Sequence, residues 1–351
     1  MEKNNLIESI KTTMDMYNLD SVMIFINKKA TTKSFGPAFA LKEALLLEEI
    51  DTDVIVTKET KINMKEGYPE VILEPKTKHF LSICVDCKKE SEIECDAYKN
   101  SLVLFDVFGP LVTKGFGVLN FKASAVSCTA EVLFNELSSY YKKTNQEFPK
   151  EVAQWLYIGM LGGTKRFGTN IKKNTLLTAK TLLDLGVDYK MANHFYEKKT
   201  TTSLRAQEII LNHTTEYPHC LCAKIPYSSN WSEMLTEKNF ADALEYFKNI
   251  DRIYVTCIML ERNDGTYKVF WRASDYYNCN VEYLARKAMG EGDEKFATAI
   301  IQAFDPDKVA KEAHQYTTKI HAYSPLPKLE DDECDEYDEE EFEEADEYEN
   351  E

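Results

Sequence analysis

Two aspartates that directly follow apolar runs are the residues best suited to chemistry in this sequence. Asp86 comes after residues 80–85, and Asp106 comes after residues 102–105. Carboxylates are preferred ligands of hard divalent cations, and a two-metal hydrolytic centre needs several such ligands around ions about 3.5–4 Å apart. Two aspartates could hold one hydrated Mg²⁺ or Mn²⁺ ion, but they would not build that centre by themselves.

The cysteines and glycines give weaker indications of a functional site. The nine cysteines have irregular spacing, which favours reduced thiols over a disulfide framework. Cys84 and Cys87 form a lone C-x-x-C pair, and Cys220 and Cys222 would share one face of a strand, so a structural metal is the alternative. The glycines at 159–163 lack the spacing and the G-K-[ST] sequence of a phosphate-binding loop.

The elements that must position the two aspartates alternate between strands and helices. Predicted strands lie at 21–27, 53–57, 80–85 and 102–105. Predicted helices lie at 5–17, 37–47, 125–142, 149–161, 173–185, 188–197 and 200–212. Such alternation predicts an α/β domain with a mostly parallel sheet and helices on both faces. Because sites in these sheets collect beyond the carboxyl ends of strands, we expect Asp86, Asp106 and the loop 28–34 at one rim.

The pattern changes after a helical connector, predicted at 199–214. Strands are predicted at 219–225, 252–261 and 267–273, helices at 237–248, 280–288 and 306–318, and an apolar run at 296–304. An Asp264-Gly265 turn between two apolar runs predicts a hairpin. The predicted domains are therefore 1–198, the connector, a smaller mixed-sheet α/β domain at 215–325, and a disordered acidic tail at 326–351.

The charge is concentrated in that tail. Residues 330–351 contain 16 Asp and Glu and no Lys or Arg, so removing them from the net charge of −17 leaves about −1 for residues 1–329. A neutral body can still carry a local basic pocket. The tail is either a solubilising segment or one that binds a basic partner. The absence of an apolar run of 18 residues and of an apolar signal core predicts a cytoplasmic protein.

The order of these motifs resembles the DHH phosphoesterase superfamily, with its DHH-associated C-terminal domain. The likeness is to oligoribonucleases that also act on phosphoadenosine phosphate and, more distantly, to RecJ exonucleases. It covers nearly all of residues 1–325 and is most specific from Leu102 to Leu185, through the Cys128-Thr129-Ala130-Glu131 helix start and the Leu182–Gly186 helix end. The resemblance implies a two-metal phosphoesterase fold that holds manganese on Asp and His ligands.

The metal-ligand positions implied by the resemblance are largely replaced. The first motif has Asn27 for its histidine and Thr31 and Lys33 for its aspartates, with only the glycine kept as Gly36 and its serine replaced by Pro37. The second motif is a single aspartate after a strand, and Asp86 retains it. The Asp-His-His motif reads Asp106-Val107-Phe108, and the fourth motif has Gly163 for its aspartate. In the C-terminal domain, Arg272 is kept, but the histidine of the glycine loop is Glu294.

These replacements predict a catalytically inactive relative with no metal cofactor. The resemblance brings six basic residues to the former site: Lys28, Lys29, Lys33, Lys165, Arg166 and Arg272. They could bind a nucleotide, a short single-stranded nucleic acid or a protein partner, because an ammonium can supply the charge that a metal supplies to phosphate. Otherwise, Lys28 and Lys29 are solvated and Lys33 pairs with Asp86 or Asp106.

Two alternatives remain open from the sequence. One is a residual phosphodiesterase or oligoribonuclease that uses Mn²⁺ or Mg²⁺ on Asp86 and Asp106. The other is a scaffold that recruits a basic protein through residues 330–351. A homodimer is also possible by the resemblance, and no membrane partner is expected.

Overall fold

A computed structural model describes residues 5–64, 66–110, 114–169, 171–197, 201–227, 234–302 and 306–323. The chain divides between residues 198 and 199 into two compact units. The predicted acidic tail lies outside the described residues. No helix of the described part is long and apolar enough to cross a membrane.

The first unit contains a five-stranded parallel sheet in the order β2-β1-β3-β4-β5. Its strands are β1 (Ser21–Ile26), β2 (Thr52–Ile55), β3 (Phe80–Val85), β4 (Leu104–Phe108) and β5 (Leu119–Lys122). Every residue of β1 and β3 is buried. Continuous apolar runs of this kind form central strands because both faces of the sheet are covered.

The α-helices pack on one face of this sheet, and short 3₁₀ segments pack on the other. The helices are α1 (Leu6–Tyr17), α2 (Thr32–Leu47), α3 (Lys58–Asn63), α4 (Thr129–Thr144), α5 (Lys150–Gly163), α6 (Lys173–Asp184) and α7 (Tyr189–Glu197). The main core lies between one face and the helices α1, α2, α4 and α5. A smaller core on the other face includes Cys84, Ile93 and Tyr98, the last from a 3₁₀ helix at Asp96–Asn100.

The second unit has a mixed six-stranded sheet in the order β10-β11-β9-β8-β7-β6, in which only β7 and β8 are parallel. Its elements are α8 (Thr201–Asn212), β6 (Thr214–Tyr217), β7 (Cys220–Ile225), α9 (Glu237–Ala243), β8 (Val255–Glu261), β9 (Tyr267–Ala273), α10 (Glu282–Lys287), β10 (Glu291–Gly292), β11 (Phe296–Ile301) and α11 (Pro306–Tyr323). The helix α8 packs into this unit through the buried Ala206 and Ile210.

Two boundaries differ from the sequence prediction in ways that affect the site. The helix α2 begins at Thr32, so Pro37 is its sixth residue and not part of its first turn. Proline usually stays in the first turn because it lacks the N–H that bonds to the carbonyl four residues earlier. Here the Pro37 ring packs against Gly159 of α5, where an added methyl would lie 2.7 Å from it.

The strand β4 also begins later than predicted, at Leu104 instead of Leu102. Leu102 is 78% exposed and precedes the sheet. An apolar run does not by itself mark where pairing begins, because an exposed leucine and a buried one look alike in sequence. As a result Asp106 lies within the strand and not beyond its carboxyl end.

Candidate functional site

A cavity of about 610 Å³ opens at the carboxyl ends of β1 and β3. These two strands lie at the point where the strand order reverses, which is the usual ligand position in open parallel sheets. The volume is within the ordinary range for small-molecule sites, roughly 300–1,000 Å³. The cavity is lined by Asn27, Lys28, Lys29, Lys33, Asp86, Lys88, Lys89, Ser91, Glu92, Phe108, Gly109, Pro110, Ser127, Cys128 and Gly163.

Asp86 is a buried carboxylate whose two oxygens already have protein partners. Ser34 donates its hydroxyl hydrogen to Oδ2 over 2.6 Å, and Thr129 donates to Oδ1 over 3.1 Å. The ammonium of Lys33 lies 3.4 Å from Oδ2. Burial raises the pKa of Asp86, while Lys33 and the two hydroxyls oppose that rise. The carboxylate therefore links the first turns of α2 and α4 and forms an ion pair with Lys33.

Glu92 and Asn27 hold together the two loops that carry the other lysines. The Asn27 amide donates to the Asp86 carbonyl over 3.0 Å and to Glu92 Oε2 over 3.3 Å. The backbone N–H of Lys88 also donates to Glu92 Oε2, over 2.8 Å, and that of Lys28 donates to the Glu92 carbonyl over 2.8 Å. One acidic residue thus fixes both loops by backbone contacts and leaves the lysine side chains free to face the cavity.

The cavity has a marked excess of positive charge. Five lysines line it, against the two carboxylates Asp86 and Glu92. The side chains of the four rim lysines, Lys28, Lys29, Lys88 and Lys89, are exposed, and no ion pair is recorded for them within the described part of the chain. The helices α2 and α4 also begin at this cavity, and helix N-termini favour anions.

Cys128, at the start of α4, does not supply a nucleophile. Its side chain is 5% exposed. Burial raises the pKa of the thiol to about 12, and the nearby Glu131 contributes in the same direction. Since the thiolate is the reactive form, the Cys128 thiol is inert near neutral pH.

Glycines of α2 and α5 allow the close helix contact that places Lys33. A methyl added at Gly36 would lie 2.4 Å from the Gly159 nitrogen, and one added at Gly162 would lie 2.4 Å from the Lys33 nitrogen. No side chain fits between backbones at that separation. Gly162 and Gly163, which the sequence suggested would end α5, are its last two helical residues.

Asp106 does not join Asp86, so the prediction that both lie at one rim is wrong. Its carboxylate is buried and accepts a hydrogen bond from the Gly117 N–H over 2.8 Å. Asp106 pairs in register with Cys84, whose side chain packs on the face opposite the main core. The side chain therefore stabilises the 115–117 turn and is not part of the cavity lining.

Of the other three predicted ligand residues, the two in the first unit are not among the residues that line the cavity. Lys165 and Arg166 are exposed in the turn after α5, and the Arg166 guanidinium lies 6.0 Å from the Tyr196 ring centre. Arg272, in the second unit, is buried with 3% exposure. Its guanidinium donates to Glu245 over 2.8 Å, to Asp275 over 3.2 Å, and to two backbone carbonyls. The N–H donors of Arg272 are therefore already hydrogen-bonded to acceptors within the protein.

The residues of the cavity do not fit a two-metal centre. Five of the positions that the family resemblance aligns with motif residues do meet there, namely Asn27, Lys33, Asp86, Phe108 and Gly163, whereas Thr31 and Val107 are not among the lining residues. Only Asp86 among them is a carboxylate, and an ammonium opposes cation binding beside it. Across the described residues, no group of three or more His, Cys, Asp or Glu side chains could hold a metal ion.

Sequence reasoning missed several residues of this site. Lys88, Lys89 and Glu92 follow Asp86 directly after β3, so the rule that loops after parallel strands line the site would have included them. Ser34 and Thr129 carried no such signal. Their roles depend on the first turns of α2 and α4 meeting at Asp86, which only the packing of the helices decides.

Comparison with known proteins shows the fold. No family model and no curated protein matches this sequence. An exopolyphosphatase-related protein from Bacteroides fragilis matches over 91% of this chain and 99% of its own, with 16% identity and a TM-score of 0.69. A manganese-bound RecJ exonuclease matches over 93% and 97%, with 11% identity and a TM-score of 0.49. The exopolyphosphatase-related protein belongs to the DHH phosphoesterase superfamily, and the likeness to it confirms the predicted fold.

Proposed function

We propose that this chain, which has the fold of the DHH phosphoesterases, binds a phosphate-bearing ligand in the cavity at β1 and β3 without a metal centre and without hydrolysing it. One observation carries the proposal. Five positions that the family resemblance aligns with motif residues line a single cavity, and apart from Asp86 they present Asn27, Lys33, Phe108 and Gly163, with four further lysines around them.

The charge and size of the cavity favour a phosphate. Lysine ammonium groups bind phosphate oxygens as point charges, with hydrogen bonds stronger than those between neutral groups. Three more lysines than carboxylates match the two to four negative charges of a nucleotide or of the end of a short single-stranded nucleic acid. Phe108 is the only aromatic side chain in the lining, so recognition rests on the phosphates more than on stacking of a base.

Hydrolysis requires a group that activates water, and both carboxylates among the described lining residues already accept hydrogen bonds from the protein. Asp86 is hydrogen-bonded on both oxygens and paired with Lys33, while Glu92 Oε2 accepts from Asn27 and Lys88. The alternative of a residual phosphodiesterase needs Asp106 as a second ligand, and Asp106 instead accepts a hydrogen bond from Gly117. We therefore propose a binding protein, with the cytoplasm as its compartment.

The test is binding of defined phosphates to the full chain. Isothermal titration should detect pyrophosphate, mononucleotides carrying two or three phosphates, and a short 5′-phosphorylated oligonucleotide. The double variant Lys28→Ala/Lys29→Ala should lose affinity by about tenfold or more, equivalent to about 1.4 kcal/mol. Affinity should also fall as salt rises, because released counterions accompany phosphate binding.

The matched control removes two exposed lysines from other parts of the first unit. Lys142→Ala/Lys190→Ala changes the net charge equally, and neither residue lines the cavity. Equal losses in both double variants would mean diffuse attraction and would contradict a site. Release of nucleotide or phosphate that depends on Mn²⁺ and disappears in Asp86→Ala would overturn the claim that hydrolysis is absent.

Recruitment of a basic protein through residues 330–351 remains a separate hypothesis. Those residues lie outside the described part of the chain, so the arguments for the cavity do not bear on them. Co-purification with the full chain and with a chain ending at residue 328 would distinguish the two. Recovery of the same partners by both would exclude the acidic segment as the recruiting element.

A further inference from the structure

Asp86 is a buried carboxylate whose negative charge must be balanced even when no ligand is bound. A carboxylate that is 5% exposed needs compensation, because burying an unpaired charge is costly. Two hydroxyl donors reach it, from Ser34 and Thr129, but hydroxyls are neutral. Among the described residues, the only cation within ion-pair distance is Lys33, at 3.4 Å from Oδ2.

We infer that Lys33 is a built-in cation that replaces a divalent metal ion as the counter-charge of Asp86, and that neutralising Lys33 would create a divalent-cation site. The lysine side chain is 43% exposed and reaches Asp86 from the cavity side. A space that opens to solvent on one side and to a buried carboxylate on the other is accessible to a hydrated ion once the ammonium is gone.

The oxygen-bearing side chains near Asp86 and in the same cavity support this assignment. Asp86 contributes a carboxylate, Ser34 and Thr129 contribute hydroxyls to its two oxygens, and Glu92 is a second carboxylate of the same cavity. Mg²⁺ and Mn²⁺ bind oxygen ligands, and Mg²⁺ keeps several of its waters, so one or two carboxylates suffice for a weak site. With Lys33 present, electrostatic repulsion excludes such an ion.

The position of Lys33 is fixed by backbone contacts, which distinguishes it from a mobile surface lysine. Gly162 of α5 approaches the Lys33 nitrogen so closely that a methyl added at Gly162 would lie 2.4 Å from it. The next residue, Ser34, is fully buried and donates to the same carboxylate. The backbone that carries the ammonium is therefore held on both sides, as a permanent counter-charge requires.

The first test compares three variants without any phosphate ligand. Lys33→Met removes the charge and keeps the length of the side chain, Lys33→Arg keeps the charge, and Lys33→Met/Asp86→Asn removes both charges. In chelator, Lys33→Met should melt about 2–4 °C below the wild-type protein. Millimolar Mn²⁺ or Mg²⁺ should restore that loss in Lys33→Met and should leave the wild-type protein and the double variant unchanged.

Direct binding gives a second readout that does not depend on stability. Free Mn²⁺ has an electron paramagnetic resonance signal that weakens when the ion binds. The signal should fall in the presence of Lys33→Met, with one site in the millimolar range, and should stay at its free value with the wild-type protein and the double variant. Calcium and magnesium should compete for the same site.

The pH dependence of melting provides a third readout. The carboxyl of Asp86 has a pKa raised by burial, and loss of Lys33 removes one of the groups that oppose this rise. A protonated carboxyl needs no cation. The melting difference between the wild-type protein and Lys33→Met should therefore be full above the folded pKa of Asp86 and should disappear as the pH falls through it.

Three outcomes would overturn the inference. Wild-type protein that binds Mn²⁺ through Asp86 would show that Lys33 does not exclude the ion. Unchanged melting of Lys33→Met together with no Mn²⁺ binding would show that Asp86 needs no counter-charge. A loss in Lys33→Met that Mn²⁺ restores equally in the double variant would place the ion elsewhere. Because no phosphate is used, failure of ligand binding would leave these results interpretable.

Discussion

The lysine-lined cavity of the first unit and the Arg272 cluster of the second unit use similar charges for different purposes. In the cavity, four exposed lysines face solvent without a recorded ion pair within the described residues. Around Arg272, the guanidinium is buried and protein oxygens accept from it, including those of Glu245 and Asp275. A basic residue is available to a ligand only when the protein has not already supplied its partners.

The burial of Arg272 suits the shape of its side chain. Arginine has planar donors that can satisfy several fixed acceptors at once, so it is suited to a closed network. Lys248 joins the same cluster, 3.2 Å from Glu245 and 3.0 Å from Asp275. Lysine keeps its ammonium hydrated at the end of a flexible stem, which suits the open rim of the cavity. The Arg272 cluster is therefore structural, whereas the exposed lysines of the cavity form the proposed binding site.

The largest expected effect is in the closed cluster. Arg272→Met should lower the free energy of unfolding by about 3 kcal/mol, because breaking a buried ion pair leaves acceptors unsatisfied. Chemical denaturation would measure the loss. Phosphate affinity of the first unit should stay at the wild-type value. A selective loss of phosphate affinity with normal stability would instead show that Arg272 contributes to ligand binding.

An intermediate effect is expected where two backbones touch near the cavity. Gly162→Ala would place a methyl 2.4 Å from the Lys33 nitrogen, and overpacking of this kind costs about 1–3 kcal/mol. Because the added methyl must displace the start of α2, phosphate affinity should fall together with stability. Gly168→Ala is the matched control, since its methyl would approach only the Lys165 carbonyl, at 3.0 Å. Equal effects of the two alanines in denaturation and titration would contradict this account.

The smallest effect is expected at Asp106, which lies in the same sheet as Asp86 but does not line the cavity. Asp106→Asn keeps an oxygen that can accept from the Gly117 N–H, so unfolding should become easier by only about 0.5–1.5 kcal/mol. Phosphate affinity should be unchanged, and Mn²⁺ should have no effect on either protein. A drop in affinity at Asp106 comparable to that of Lys28→Ala/Lys29→Ala would show that Asp106 contributes to the cavity.

Much of the fold could be predicted because burial leaves a clear pattern in sequence. The central strands β1 and β3 are continuous apolar runs, and their bounds were predicted to within one residue. The short strands β5 and β6 gave no such signal, since their residues are mostly exposed or half-buried. The start of α2 was misjudged because Pro37, which usually marks a helix start, is tolerated where the helix packs tightly on α5.

The sequence by itself determined which residues stand at the positions that the family resemblance aligns with metal ligands, and that the positive charges of the first loop follow β1. Only the tertiary structure decided which of those charges share a cavity. Lys33 meets Asp86 because close glycine contacts bring the start of α2 to the end of β3. Asp106 turns away because the alternation of side chains along β4 directs it to the other face of the sheet, a consequence of register that residue types do not contain.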